Sequence, residues 1–236
     1  MRDSLSQPLG PRPVDLRRPL MGLTVLVVED SRYASEAMRL LCLRSGARIR
    51  RADRLASAHR HLRTYRPSVV IVDLGLPDGC GDELIRTIKS TAQAMPVVLG
   101  TSGDSAMEQV AYAAGADGFL PKPVESLGLF QQAILSILPV SERPRMLLPV
   151  NDATISPDPI ALRDDLSHMA QVLSVARDQP AFGYVAQFLA GLARSSHDDA
   201  LELAASALRR RGGPSPSDIS RLSGLVQERL SNSATF

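Results

Sequence analysis

Five side chains along this sequence could together handle a phosphoryl group: the acids Glu29, Asp30 and Asp73, the hydroxyl of Thr101 and the ammonium of Lys122. The acids follow apolar runs, LTVLVV before Glu29 and Asp30 and VVIV before Asp73. Carboxylates gathered at one point repel each other and raise each other's pKa unless a cation offsets them, so such a cluster implies a metal. A hard, all-oxygen donor set favours Mg²⁺, which keeps several waters and leaves room for a phosphoryl oxygen. With that charge offset, the carboxylate of Asp73 can attack phosphorus as a nucleophile. Thr101 offers a hydroxyl and Lys122 a positive charge to the phosphoryl oxygens. Lys122 is one of two lysines among 27 basic residues, so a compact point charge is kept where the chain otherwise uses arginine. Taken alone it would be read as a surface lysine; its place in FLPKP, after a strand, argues otherwise.

These residues need a frame that brings them together. Leu23–Val28 and Val69–Val72 are short, β-branched apolar runs of the kind found in fully buried parallel strands. Arg48–Ala52 reads as an edge strand because it tolerates charge, and Pro96–Leu99 and Gly118–Leu120 as two further strands. Between them, Ala34, Ala37, Met38, Leu41 and Cys42 recur at helical spacing up to a stop at Gly46, and 55–65, 84–91, 106–114 and 127–138 also read as helices. Five strand–helix units demand right-handed crossovers and a doubly wound parallel sheet covered on both faces. Ligands bind such sheets outside the carboxyl ends of the strands, where the acids fall.

The acidic pair in VLVVED, the DLGLPDGCG turn beginning at Asp73, the hydroxyl in VVLGTS and the FLPKP segment, in that order, resemble the receiver domain of two-component response regulators. The resemblance spans residues 22–140 and implies a flavodoxin-like sheet of order 2-1-3-4-5. It further implies that Glu29, Asp30 and Asp73 hold Mg²⁺, that Asp73 is phosphorylated by a histidine kinase or histidine phosphotransfer protein, and that Thr101 and Lys122 contact the phosphoryl group. Thr101 and Phe119 would form the switch, and the Lys122–Pro123 peptide would be cis. Phosphorylation would draw the Thr101 hydroxyl inward and free space for Phe119 to turn, biasing a two-state surface on the last two strand–helix units. Core packing alone is the plain alternative for Phe119. Gly75 and Gly103, two residues after Asp73 and Thr101, stand where the family often has larger side chains; they predict an uncovered phosphoryl group and a short-lived aspartyl phosphate.

The rest of the chain has a different character. Residues 1–21 include four prolines and read as a flexible tail, 141–159 include four more and read as a linker, and 160–236 read as a small all-helical domain. Its helical faces are Ile160, Leu162, Leu166 and Met169; Val185, Phe188, Leu189 and Leu192; Leu201, Ala204, Ala205 and Leu208; and Ile219, Leu222, Val226 and Leu230, the last read as core rather than a coiled-coil seam. Gly212, Gly213, Pro214 and Pro216 separate the last two.

The net charge of +2 is unevenly spread. Residues 1–66 hold fourteen Arg against six acids, a solvated basic face or one that meets an acidic kinase surface, whereas 158–236 hold eight Arg against nine acids. A DNA reader needs its own basic face, and the one basic cluster here is Arg209, Arg210 and Arg211 at a helix end. The helical domain is therefore expected to act through a downstream protein partner or a second copy of the chain. The alternative is a nucleic-acid regulator under the same control, reading DNA or, by a weaker resemblance over 186–225, RNA in the manner of antitermination output modules. No enzymatic output is expected, since 160–236 lack a nucleophile–base pair, metal-ligand spacing or a glycine loop. His168 and His197 read as solvated helical residues, not phosphohistidines. Cys42 and Cys80 lack the spacing of a disulfide or zinc site. No run approaches the roughly 18 apolar residues of a membrane span, and no leader pattern opens the chain, so a cytoplasmic protein with no membrane partner is expected.

Overall fold

The structure is a computed structural model that describes residues 18–91, 96–143, 153–209 and 214–232. Strands and helices alternate as β1 (Thr24–Val28), α1 (Arg32–Ser45), β2 (Arg48–Ala52), α2 (Leu55–Thr64), β3 (Val69–Asp73), then a two-stranded ribbon of β4 (Gly75–Leu76) and β5 (Gly79–Cys80). They continue as α3 (Gly81–Thr91), β6 (Val97–Ser102), α4 (Met107–Ala113), β7 (Gly118–Pro121) and α5 (Leu127–Ile137). The main sheet is parallel, in the order β2-β1-β3-β6-β7, which is 2-1-3-4-5 when the ribbon is left uncounted. This is the doubly wound sheet expected from the alternating pattern, in the flavodoxin-like order that the resemblance implies.

Alternation along the strands sends side chains to two cores. Val25, Val27, Val69, Ile71 and Leu99 pack with α1 and α5 on one face, whereas Leu26, Val28, Val70, Val72 and Val98 meet α2, α3 and α4 on the other. The edge position of β2 leaves Arg48, Arg50 and Arg51 solvent-exposed. Helix α1 starts where the Ser31 hydroxyl accepts from the Ala34 amide and stops at Gly46, whose φ of 85° suits glycine.

The N-terminal boundary differs from expectation. Leu20 is fully buried in the first core and its amide donates to the Ser45 carbonyl, because an apolar side chain beside the end of α1 gains more from burial than from freedom. Residues 18–21 are thus part of the packed fold; the rest of the expected tail, 1–17, lies outside the described residues. The expected linker is likewise not all loose. Val140–Glu142 form a short 3₁₀ helix, Thr154 bridges to Ser126, and Ile155 is buried against the sheet's core; 144–152 lie outside the described residues.

The C-terminal part is helical: α6 (Pro159–Val175), α7 (Gln179–Ser195), α8 (Asp199–Ala207) and α9 (Pro216–Asn232). Asp158, Asp178 and Asp198 cap the first three through their side chains, with a proline in the first turn of α6 and α7. Leu166, Met169, Leu189, Leu201, Leu222 and Val226 share one core, so the last helix contributes core and not a free seam. Gly212, Gly213, Arg210 and Arg211 lie outside the described residues. Helices α6 and α7 pack on α1, and Tyr33 of α1 joins the helical core. Among the described residues no helix is long and apolar enough to cross a membrane.

Candidate functional site

Parallel pairing carries the five candidate residues to one edge of the sheet. The register sets Val28 beside Val72, Asp73 beside Thr101 and Thr101 beside Leu120, so Glu29, Asp30, Asp73, Thr101 and Lys122 all emerge at neighbouring strand ends. One oxygen from each of Glu29, Asp30 and Asp73 lies within 4.8 Å of the others. Lys122 Nζ sits 2.6 Å from Glu29 Oε2 and 2.9 Å from Asp73 Oδ2, and the Lys122–Pro123 peptide is cis. Asp73 Oδ1 accepts from the Gly75 amide at 3.2 Å. Gly81 has to be glycine here, since a Cβ would overlap the Asp73 carbonyl oxygen. Thr101 is buried and its hydroxyl donates to the Leu120 carbonyl at 2.7 Å. Phe119 is half-buried, its ring against Gly100.

The electrostatics follow from crowding charge into a place with little water. Burial pushes Glu29 well above the ordinary carboxylate value, with Asp73 and Asp30 adding to it and Lys122 opposing. Burial, then the charge of Asp73, pushes Asp30 up to about 7. Burial pulls Lys122 down, yet Asp73 and Glu29 outweigh it and hold the ammonium well above its usual value. One cation among three acids, two of them buried, leaves a deficit of positive charge, and Glu29 Oε2, although ion-paired with Lys122, lacks a hydrogen bond of proper geometry. Three converging hard oxygens with such a deficit fit a small divalent cation.

The C-terminal helices reach into this site. From α6, the buried Asp165 accepts from the Ser31 hydroxyl (2.8 Å) and from the amides of Arg32 and Tyr33 (both 3.0 Å), tying α6 to the first turn of α1. From α7, the Tyr184 hydroxyl donates to Asp30 Oδ2 at 2.9 Å, and burial together with Asp30 raises its own pKa. Further along α7, the Gln187 amide stands where a side chain at Gly75 would be, and the Arg194 guanidinium where one at Gly103 would be; a Cβ at either glycine would overlap them. A cavity of about 170 Å³ between the two parts is lined by Asp73, Lys122, Gly75, Gly103, Gln187 and Arg194, among others.

The expectation that Gly75 and Gly103 leave the site uncovered is therefore corrected. Glycine there makes room for α7. None of Asp165, Tyr184, Gln187 or Arg194 stands out in the sequence, because each lies far along the chain from the residue it meets. His197 is not helical as expected: it takes a φ of 55° in the turn between α7 and α8, where its ring lies 3.0 Å from Glu125 Oε1. His168 is on α6, exposed. Cys42 is buried, which pushes its thiol up to about 12, and Cys80 is exposed in the ribbon.

Residues 25–134 match the response regulator receiver domain. Among relatives, KDP operon transcriptional regulatory protein KdpE of Escherichia coli is 31% identical over 143 residues, 61% of this chain and 59% of that protein. Virulence transcriptional regulatory protein PhoP of Shigella flexneri is 32% identical over 116 residues, 48% of this chain and 52% of that protein. The chain thus spans less than two thirds of the length of these relatives. A putative response regulator from Chloroflexus aurantiacus, known from its crystal structure, is 25% identical with a TM-score of 0.46, over 49% of this chain and 96% of that one. Receiver domains typically bind Mg²⁺ at an acidic cluster, and Glu29, Asp30 and Asp73 form such a cluster.

Proposed function

We propose that this chain is a phosphorylation-controlled response regulator in which Asp73 accepts a phosphoryl group from a histidine kinase or histidine phosphotransfer protein. The observation that carries the reading is the convergence of Glu29, Asp30 and Asp73 with Lys122 bonded to the acceptor carboxylate. Mg²⁺ held by those three acids would offset the charge of an incoming phosphoryl group. An Asp73 carboxylate oxygen then forms a bond to phosphorus as the bond from phosphorus to the donor's imidazole nitrogen breaks, the nitrogen keeping the electron pair. Lys122 holds the acceptor in place and stays charged throughout, so it contributes hydrogen bonds to the phosphoryl oxygens and no proton. Thr101, one strand away in register, exchanges its bond to Leu120 for one to the phosphoryl group, and Phe119, whose ring lies against Gly100, turns into the space that the hydroxyl leaves. The residue boundaries that fit this reading are a receiver from Arg18 to Leu138 and a helical output from Pro159 onward.

Incubation with acetyl phosphate and Mg²⁺ should label the full chain, and the Asp73→Asn form should stay unlabelled. An unlabelled parent, or equal labelling of both, overturns the assignment.

For the output, the names of KdpE and PhoP weigh toward control of transcription, ahead of the protein contact that charge balance alone favours. We therefore place a nucleic-acid-directed output first and protein contact second, the latter supported by the excess of acids over arginines in 158–236. A salt-dependent gel shift with DNA and with RNA, with and without phosphorylation, separates them: a shift that weakens steeply with salt supports the first reading, and no shift with either polymer supports the second.

A further inference from the structure

A phosphoryl group on Asp73 would carry three anionic oxygens into the cavity between the sheet edge and α7, and Lys122 and Thr101 do not come from the α7 side. Two receiver positions that overlook this cavity, Gly75 and Gly103, have no side chains to offer. Helix α7 fills both places, with the carboxamide of Gln187 over Gly75 and the guanidinium of Arg194 over Gly103. Arg194 is held there by an ion pair with Glu202 of α8 at 2.6 Å and is only partly exposed, so its charge is already oriented. Gln187 is exposed on the helix surface, with its amide end against the Gly75 backbone. A cavity of about 170 Å³ lined by Asp73, Lys122, Gln187 and Arg194 lies between the sheet edge and α7.

Resting on the phosphoacceptor reading of Asp73, we propose that Gln187 and Arg194 of α7 are phosphoryl-contacting residues, so that the helical region supplies part of the binding site for the group that controls it. Arg194 donates charge-assisted hydrogen bonds to phosphoryl oxygens, and Gln187 donates a neutral one. Glu202 is a positioning residue that acts through Arg194. The phosphorylated site and the docked helices are then linked: whatever favours one favours the other by the same factor.

The test is calorimetric titration of the full chain with beryllofluoride in the presence of Mg²⁺, with thermal unfolding of each variant as a control. Losing a charge-assisted bond corresponds to about a tenfold loss of affinity or more, and losing a neutral one to about threefold. Arg194→Ala and Arg194→Gln are expected to weaken beryllofluoride about tenfold, Arg194→Lys to retain most of the affinity, and Gln187→Ala to lose about threefold. Gly103→Ala, which displaces the guanidinium, should reproduce the Arg194→Ala loss, and the two together should lose no more than either alone. Affinity equal to the parent in both Arg194→Ala and Gln187→Ala, with unfolding unchanged, overturns the proposal. So does a loss in Arg194→Lys as large as in Arg194→Ala. Should Asp73→Asn bind beryllofluoride as well as the parent does, the phosphoacceptor reading itself fails, a result distinct from either of these.

Discussion

Asp165 is the residue on which docking of the helical region most visibly turns, and its replacement by alanine should loosen α6 from α1. Asp165 is 3% exposed and its carboxylate accepts three hydrogen bonds, two of them from first-turn amides of α1 that have no partner within the helix. Each capping contact is worth about 1 kcal/mol and the Ser31 hydroxyl bond about the same. Against that roughly 3 kcal/mol stands the cost of burying the carboxylate, which burial pushes above its ordinary pKa despite those donors. The Ser31 hydroxyl also keeps its own bond to the Ala34 amide. A net loss of about 2 kcal/mol remains, a factor of about 30 in the docking equilibrium. Native-state hydrogen exchange reads this directly. In Asp165→Ala, the Arg32 and Tyr33 amides should exchange about 30-fold faster than in the parent, with β3 amides unchanged. Asp165→Asn, which keeps one acceptor oxygen, should fall between. Exchange at Arg32 and Tyr33 within twofold of the parent would refute the view that Asp165 holds the two parts together.

Tyr184→Phe removes the bond that lowers the Asp30 pKa, so that carboxyl, already at about 7, should titrate higher still in carbon-detected NMR; an unchanged or lower value contradicts the contact. Gly100→Ala places a methyl 2.7 Å from Ala111 Cβ and 3.3 Å from the Phe119 ring, and this overpacking should cost about 1–3 kcal/mol in urea unfolding; a cost below about 0.5 kcal/mol would mean that α4 and Phe119 yield freely. The pH response of the helical region follows from Asp198, whose carboxyl the Arg229 guanidinium holds below the ordinary 3.8. Because its folded value lies below its unfolded one, the stabilisation is present above 3.8 and lost as pH falls through the folded value. Unfolding followed by circular dichroism should show this acid loss in the parent and a flatter slope in Arg229→Ala; equal slopes would remove Asp198 from the account.

The gathering of the site's polar residues at one sheet edge could be read along the chain, for a local reason. An apolar β-branched run that stops at an acid, as at Glu29, Asp30 and Asp73, states both that a strand is buried and where it ends. In a parallel sheet, strand ends on one side share an edge. Lys122 and Thr101 were legible in the same way, as polar residues following the strands next in order, and the exposed arginines of β2 marked the edge of the sheet. Period alone also distinguished the helical region from the sheet and placed Leu222 and Val226 in a core.

What lies above the acids was decided by packing between distant segments. Nothing near Gly75 indicates that Gln187 will stand over it, nor does Ser31 announce Asp165, because such contacts depend on how one helix pair seats on α1 and not on any local period. The same holds for Leu20, which a proline-rich setting suggests is loose and which a hole beside the end of α1 makes part of the core. Local sequence determines which groups a strand or helix presents, since backbone geometry repeats every two or 3.6 residues. Which presented surfaces meet is set by the shape and charge of whole elements, and so the join between the acidic site and the helices over it existed only in three dimensions.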